Sequence, residues 1–279
     1  MPYSAEINRA NPTAFFFLLD QSGSMGDAFG GAESLRKKSD GVADAINRLL
    51  QNLSIKCAKE SGVYDYFHIA IVGYGNTVGP AWAGTLSGRE IIPISEIASN
   101  PARIEQRTRK SDDGAGGLVD ESIKFPVWFD PISNGGTPMC QALTYINSLV
   151  SRWTTEHPNG YPPLVINITD GESTDGDPSA PADATRKLAT TDGDTLLFNL
   201  HLSSASGSPI TFPDSENELP DQYARALFSM SSLMPPSMRS AAASDGFQVT
   251  ENSKGYVFNS DLVSLIRFLD IGTRPANLR

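Results

Sequence analysis

The stretch FFFLLDQSGSMGD, Phe15 to Asp27, joins an apolar run to a cluster of oxygen-bearing side chains. Five apolar residues lead directly into Asp20, and two serines and two glycines follow within the next six positions. An unbroken apolar run of this length is typical of a strand that is covered on both faces of a sheet. Polar groups are costly to bury without partners, so the strand is expected to end at a polar site. Gly23 and Gly26 are expected to allow a tight turn there.

Three further apolar runs have the same character, and they predict buried strands at His68–Val72, Leu164–Ile168 and Thr195–Leu202. Apolar residues at helical spacing lie between and after these runs, and they predict helices within 35–53, 142–153 and 261–269, the last with Asp261 as its N-cap. Alternating strands and helices predict an α/β fold. We expect a doubly wound, mostly parallel central sheet with one antiparallel edge strand and helices on both faces, a Rossmann-like arrangement.

The domain organisation is expected to be simple. A single domain is predicted for residues 14–270, with an N-terminal lead-in at 1–13 and a C-terminal tail at 271–279. Two polar segments rich in Gly, Pro and Ser, near 110–117 and 203–220, are predicted to be surface loops inserted in that domain. The chain shows no internal repeat that would divide it.

Composition excludes several classes of partner. Lys and Arg total 22 and Asp and Glu total 32, which gives a net charge of −10. Nucleic acids and anionic membranes bind clustered cations, so neither is an expected partner. The first residues, MPYSAEINRANPT, lack the apolar core of a signal peptide, and a cytoplasmic location is therefore expected. Cys57 and Cys140 are expected to be free thiols.

Polar side chains follow two of the predicted strands. Asp20 ends the first strand, and Asp170 follows the strand in LVINITDGESTDGD. A third polar turn, SNGGTPMC, carries Thr137 at the start of a predicted helix. Ligands of open α/β sheets bind beyond the carboxyl ends of the strands, so these side chains are expected to meet. Together with Ser22 and Ser24 they offer hard oxygen atoms, which suit Mg²⁺ or Mn²⁺ and not zinc.

This pattern resembles the metal-ion-dependent adhesion site of von Willebrand factor A domains. That site consists of an Asp-x-Ser-x-Ser turn after the first strand, a threonine in a later loop and an aspartate after a central strand. All five positions are filled here, by Asp20, Ser22, Ser24, Thr137 and Asp170. The resemblance extends over residues 14–269. It implies one Mg²⁺ or Mn²⁺ ion, contacted by the serines and in one state by the threonine, while the aspartates act mostly through water. An Asp or Glu of a protein partner would complete the site.

The resemblance also implies a function without catalytic residues, namely metal-dependent protein–protein interaction. The chain looks closest to small intracellular bacterial members, which are often encoded beside a Ser/Thr phosphatase and a protein kinase, including in tellurium-resistance-type clusters. A cytoplasmic scaffold or adaptor in bacterial signalling or stress response is therefore expected, with a phosphatase or kinase among the candidate partners.

Two alternatives remain open. The first is a metal-assisted hydrolase in which Asp170 or Glu172 orients a water molecule. The chain lacks both a G-x-S-x-G motif and a Walker A lysine, which disfavours this class. The second is a structural subunit whose metal only braces the fold.

Other residues near the site are interpreted more simply. Four acidic residues lie near the site in sequence, namely Asp27, Glu172, Asp175 and Asp177. Most of them are interpreted as solvated loop charges, and the alternative for Asp27 or Glu172 is a group that supports the metal ligands. Trp128 leaves two interpretations open, ordinary packing or part of a specificity rim near the threonine turn.

Overall fold

The computed structural model describes residues 2–28, 36–112, 118–202, 209–260 and 262–273. The strands are β1 (Thr13–Asp20), β2 (Ala58–Lys59), β3 (Gly62–Val63), β4 (Phe67–Tyr74), β5 (Val78–Pro80), β6 (Ile92–Pro93), β7 (Arg103–Asp112), β8 (Leu118–Val127), β9 (Leu164–Thr169), β10 (Ala189–Thr190), β11 (Gly193–Asp194), β12 (Leu196–His201), β13 (Ile210–Thr211) and β14 (Tyr256–Phe258). The α-helices are α1 (Lys38–Cys57), α2 (Ile94–Ser99), α3 (Met139–Glu156), α4 (Ser179–Arg186), α5 (Gln222–Met230), α6 (Pro236–Ser244) and α7 (Leu262–Thr273). Short 3₁₀ helices span Gly23–Gly26 and Gly84–Leu86.

The central sheet has the strand order β13-β14-β12-β9-β1-β4-β5, and β6 also pairs with β4. The five strands from β14 to β4 are parallel to their neighbours. Antiparallel pairing occurs where β5 and β6 join β4. The predicted mostly parallel sheet with an antiparallel edge is thus confirmed. The short strand β13 adds antiparallel pairing at the opposite edge.

Each face of the sheet has its own core, which explains the unbroken apolar runs. Successive side chains of a strand point to opposite faces, and all eight residues of β1 are buried. Phe15 and Phe17 pack in the core that α1, α2, α6 and α7 cover. Phe16 and Leu18 pack in the second core, under α3, α4 and α5. Within the described residues, no helix is long and apolar enough to cross a membrane.

The chain reverses its winding direction between β1 and β9. Strand β1 continues through α1 to β4 on one side, whereas β9 continues through α4 to β12 on the other side. The two strands are neighbours, with Leu19 in register with Ile168. Connections that leave adjacent parallel strands in opposite directions open a crevice at the carboxyl edge. Asp20 and Asp170 stand on either side of that crevice.

Strands β7 and β8 form a long hairpin outside the central sheet. They pair over ten positions, from Arg103 with Val127 to Asp112 with Leu118. The segment predicted as a loop at 110–117 therefore begins as strand, and residues 113–117 lie outside the described ranges. The other predicted loop, 203–220, contains β13, with residues 203–208 outside the description. The predicted N-cap Asp261 is likewise not described.

A buried asparagine on α1 holds the segment that directly follows β8, and so anchors the base of the hairpin. The side chain of Asn47 accepts a hydrogen bond from the Trp128 backbone N–H (2.8 Å) and donates one to the Phe129 carbonyl (3.0 Å). The Trp128 indole N–H donates to the carbonyl of Ile97 at 2.6 Å, and the side chain is only 2% exposed. Of the two interpretations of Trp128, the structure therefore supports ordinary packing.

Candidate metal centre

The turn after β1 is organised by Asp20. Its carboxylate is 2% exposed. One oxygen accepts a hydrogen bond from the Ser22 backbone N–H at 2.8 Å, and the other accepts one from the Thr169 hydroxyl at 2.7 Å. Burial raises the pKa of Asp20, these hydrogen bonds offset part of the rise, and the nearby charge of Asp170 adds to it. Asp20 thus holds its own turn and joins β1 to β9.

A chain of hydrogen bonds leads from this turn to Asp170. The hydroxyl oxygens of Ser22 and Ser24 lie 3.0 Å apart, and the Ser24 hydroxyl donates to an Asp170 carboxylate oxygen at 2.7 Å. Oxygen ligands about 2.1 Å from an octahedral Mg²⁺ ion lie roughly 3.0 Å from one another. The separation of the two serine oxygens therefore matches that of neighbouring magnesium ligands.

Thr137 reaches the same edge from the loop before α3. Its backbone N–H donates to the Thr174 hydroxyl at 3.0 Å, and its carbonyl accepts from the Thr174 N–H at 2.9 Å. A Cβ atom on Gly171 would lie 4.0 Å from the Thr137 hydroxyl oxygen, so this hydroxyl faces the turn that follows Asp170. The structure thus brings the five predicted residues to one place, while their role as metal ligands stays a prediction.

The loops around the site approach one another so closely that two glycines are required. A Cβ at Gly75 would lie 2.6 Å from the Asn134 carbonyl oxygen and 2.8 Å from that of Gln21. Gly135 has a φ of +98°, and its Cβ would lie 2.5 Å from the Asn76 nitrogen. By contrast, a Cβ at Gly23 would make only an ordinary contact of 3.8 Å. A Cβ at Gly26 would lie 3.2 Å from the Ser133 hydroxyl oxygen, which is a tight contact, and neither Gly23 nor Gly26 has a positive φ.

Asp175, interpreted from sequence as a solvated loop charge, instead holds the start of α3. Its two carboxylate oxygens accept hydrogen bonds from the backbone N–H groups of Cys140 (3.0 Å) and Gln141 (2.9 Å). Burial by itself would raise the pKa of Asp175, but these donors outweigh it and leave the pKa below its ordinary value. This contact fixes the helix that directly follows Thr137.

The structure also places a positively charged side chain, that of Lys38, at the site. Sequence analysis did not predict this residue there. The ammonium of Lys38 lies 2.8 Å from the second carboxylate oxygen of Asp170. The two side chains are only 4% and 0% exposed. They are 132 positions apart in the sequence, so no local pattern signals their contact. Lys38 is the first residue of α1, where the helix dipole disfavours a positive charge.

The donor set suits a hard divalent cation. Within the described residues, no group of three or more His, Cys, Asp or Glu side chains could hold a metal ion. The site instead offers three hydroxyls and two carboxylates, which fit Mg²⁺ or Mn²⁺ and do not fit zinc. Both carboxylate oxygens of Asp170 already accept a hydrogen bond, one from the Ser24 hydroxyl and the other from the Lys38 ammonium.

The fold and the site together define a doubly wound α/β domain with an oxygen-rich site at its switch point. The chain matches no protein-family model and no curated protein sequence. It is similar to the solved structure of a von Willebrand factor type A protein from Catenulispora acidiphila, with 13% identity and a TM-score of 0.48, over 95% of this chain and 43% of that chain.

Two bacterial pilus proteins show weaker structural similarity. The PilB minor pilin from Streptococcus sanguinis is 10% identical with a TM-score of 0.44, over 98% of this chain and 62% of that one. The vWF domain of the type V pili tip protein Mfa5 from Porphyromonas gingivalis is 13% identical with a TM-score of 0.32, over 58% of this chain and 39% of that one. The chain thus spans less than two thirds of the length of each of these three structures. Structural similarity at this level does not show what the chain binds. An inference about binding therefore rests on the residues of the site.

Proposed function

We propose that this chain is a von Willebrand factor A-type domain that binds a protein partner through one Mg²⁺ or Mn²⁺ ion. The observation that carries the proposal is the convergence of three loops at the switch point of the sheet. Hydrogen bonds join the hydroxyls of Ser22 and Ser24 to the carboxylate of Asp170 there, and the Thr137 hydroxyl faces the turn that follows Asp170. The residues that would hold the ion are Asp20, Ser22, Ser24, Thr137 and Asp170.

The division of roles follows from charge and hydrogen bonding. The hydroxyls of Ser22 and Ser24, and in the partner-binding state that of Thr137, are neutral ligands that would contact the ion. Asp20 accepts two hydrogen bonds and so holds the turn in place. When bound, the ion supplies an open coordination position with much of its charge uncompensated, which favours an incoming carboxylate. The proposed role is therefore binding of an acidic partner residue rather than catalysis.

A cavity beside the site is suited to a neighbouring apolar side chain of the partner. It has a volume of about 480 Å³ and adjoins Gly171 and Glu172, directly after the site aspartate. Met139, Leu227 and Met230 provide apolar lining. We therefore expect the preferred partner segment to carry an Asp or Glu close to a large apolar residue.

Isothermal titration calorimetry with Mg²⁺ tests whether the site holds a metal. Ser24→Ala removes a proposed direct ligand, and we expect its Mg²⁺ affinity to fall at least about tenfold. Ser61→Ala, which removes an exposed hydroxyl in the turn between β2 and β3, is the matched control and should not change the affinity. Absence of binding to the unmodified protein at millimolar Mg²⁺ would contradict the proposal.

The partner-binding step is tested with fluorescent peptides that carry Asp or Glu beside a large apolar residue, against peptides with Asn or Gln instead. Thr137→Ala should keep Mg²⁺ affinity within about tenfold but lose binding of the acidic peptides. Thr155→Ala, exposed on α3, is the control. Equal peptide binding in EDTA and in Mg²⁺ would leave the metal with a structural role only.

The cellular part of the proposal derives from the sequence resemblance. It is that the protein acts in the bacterial cytoplasm as a scaffold or adaptor in signalling or stress response, with a Ser/Thr phosphatase or a kinase among its partners. The genes that flank this one test it. A phosphatase or kinase gene beside it is the expected result, and a pilus or secretion operon would contradict the cytoplasmic role.

A further inference from the structure

The buried ion pair at the candidate metal centre is unusual because one of its members is a proposed metal-site residue. The Asp170 carboxylate has two hydrogen-bonded partners, the Ser24 hydroxyl on one oxygen at 2.7 Å and the Lys38 ammonium on the other at 2.8 Å. A cation is therefore already bound to the carboxylate that a divalent ion would need. The Asp170 side chain is 0% exposed, so water does not stabilise the charge of this carboxylate.

Lys38 is held at this position against its local preferences. An ammonium is disfavoured at the start of a helix, because the aligned peptide dipoles place positive charge there. It is also costly to bury, and the Lys38 side chain is only 4% exposed. Both costs are offset by the contact with Asp170. His201 is also near Asp170, but burial lowers the pKa of its imidazole. It therefore does not replace Lys38 as the counter-charge of Asp170.

The backbone ties Lys38 to the loop that carries the serines. The Lys38 N–H donates to the Asp27 carbonyl at 3.0 Å, and Ala28 pairs with Lys37 in an antiparallel bridge. The start of α1 is thus attached to the loop just after Ser24. The ammonium and the serine hydroxyls consequently approach Asp170 as parts of one connected unit.

We propose that Lys38 is a built-in competitor of the divalent cation, serving as the counter-ion of Asp170 in the metal-free protein and giving up that contact when the metal binds. This inference rests on the proposed function, since it concerns the same site. A monovalent and a divalent cation within a few ångströms of each other repel strongly in a buried setting. Lys38 therefore lowers the affinity for Mg²⁺ and stabilises the metal-free fold at the same time.

The experiment compares two substitutions of Lys38 with one of its neighbour. Lys38→Met removes the charge and keeps a side chain of similar length, and Lys38→Gln keeps a neutral hydrogen-bond donor for Asp170 in case the methionine variant folds poorly. Lys37→Met is the matched control, because this lysine precedes Lys38 directly and is exposed. Mg²⁺ affinity is measured by calorimetry at constant ionic strength, and thermal unfolding is measured in EDTA and in Mg²⁺.

We expect both Lys38 variants to bind Mg²⁺ at least about tenfold more tightly than the unmodified protein, and Lys37→Met to be unchanged. In EDTA, Lys38→Met should unfold at a temperature at least about 5 °C lower, and Mg²⁺ should recover most of that loss. Magnesium binding by the Lys38 variants alone would contradict the inference as well as the proposed function, because Lys38 would then never give up its contact with Asp170.

Two other results would overturn the inference. Equal Mg²⁺ affinity in the Lys38 variants and the unmodified protein would show that the ammonium does not compete, and weaker affinity would show that it assists the metal. Both leave the proposed metal-dependent binding intact. Conversely, tighter Mg²⁺ binding by the variants combined with metal-independent binding of acidic peptides would support the inference and contradict the proposed function.

Discussion

Two carboxylate–cation contacts of nearly equal length lie in different surroundings in this protein. At the candidate metal centre, Lys38 and Asp170 are 2.8 Å apart, with side chains that are 4% and 0% exposed. Where the β7–β8 hairpin meets α1, Arg107 and Asp44 are 2.7 Å apart, with side chains that are 31% and 28% exposed. The chemistry of the two contacts is similar, and the difference is access to water.

This difference decides what each contact does. A buried ion that loses its partner cannot be stabilised by water, so each member of the buried pair depends on the other. An exposed ion that loses its partner is hydrated and screened by salt. The hairpin network also shares its charges, since Arg107 contacts Glu105 as well as Asp44. The members of the close contact at the sheet edge therefore depend on each other, whereas the contact at the hairpin provides only surface complementarity.

The largest effect is expected from Asp170→Ala. It leaves the Lys38 ammonium buried without a counter-charge, and in EDTA it should lower the free energy of unfolding by about 3–5 kcal/mol. Urea denaturation followed by circular dichroism measures this. The double variant Lys38→Met/Asp170→Asn removes both charges and should recover most of the loss. A loss of less than about 1 kcal/mol in Asp170→Ala would make the buried pair equivalent to an exposed one.

An intermediate effect is expected from Asn47→Ala, which breaks the buried anchor of the hairpin. Asn47 is 1% exposed, and its loss leaves the Trp128 N–H and the Phe129 carbonyl unpaired, so we expect a cost of about 2–3 kcal/mol. Asp44→Ala, three residues earlier on the same helix, is the control, with an expected cost below about 1 kcal/mol. Similar costs for the two variants would mean that the hairpin is held by its charges.

The smallest effect is expected from Arg107→Ala. Its stability cost should stay below about 1 kcal/mol and shrink further in salt, with no change in Mg²⁺ affinity. Hydrogen bonds from Arg107, and then from Arg103, lower the pKa of Glu105. The contribution of Glu105 to stability is thus present above its ordinary pKa and is lost as the pH falls through the lowered value. An NMR titration of the variant should show this pKa rising toward normal, and an unchanged pKa would contradict the assignment.

The hairpin also shows where sequence reasoning fails. The buried runs at β1, β4, β9 and β12 predicted strands because each is mostly apolar and lacks the alternation of polar and apolar residues that marks a half-exposed strand. The hairpin strand RIEQRTRKSD has no such run, since it pairs with β8 and meets α1 through the partly exposed ion pair of Arg107 and Asp44. Its pairing therefore left no hydrophobic pattern to detect, and its end was predicted to be a loop.

The sequence by itself determined the α/β alternation and the oxygen-bearing turns, because hydrophobic periodicity and the residues at strand ends are local properties of the chain. It also predicted that Asp20, Ser22, Ser24, Thr137 and Asp170 would lie together, since the carboxyl ends of parallel strands share one edge. Only the tertiary structure decided that Lys38 would be the counter-ion of Asp170. That contact joins residues 132 positions apart, and it exists because the start of α1 and the end of β9 meet at the same switch point, out of reach of water.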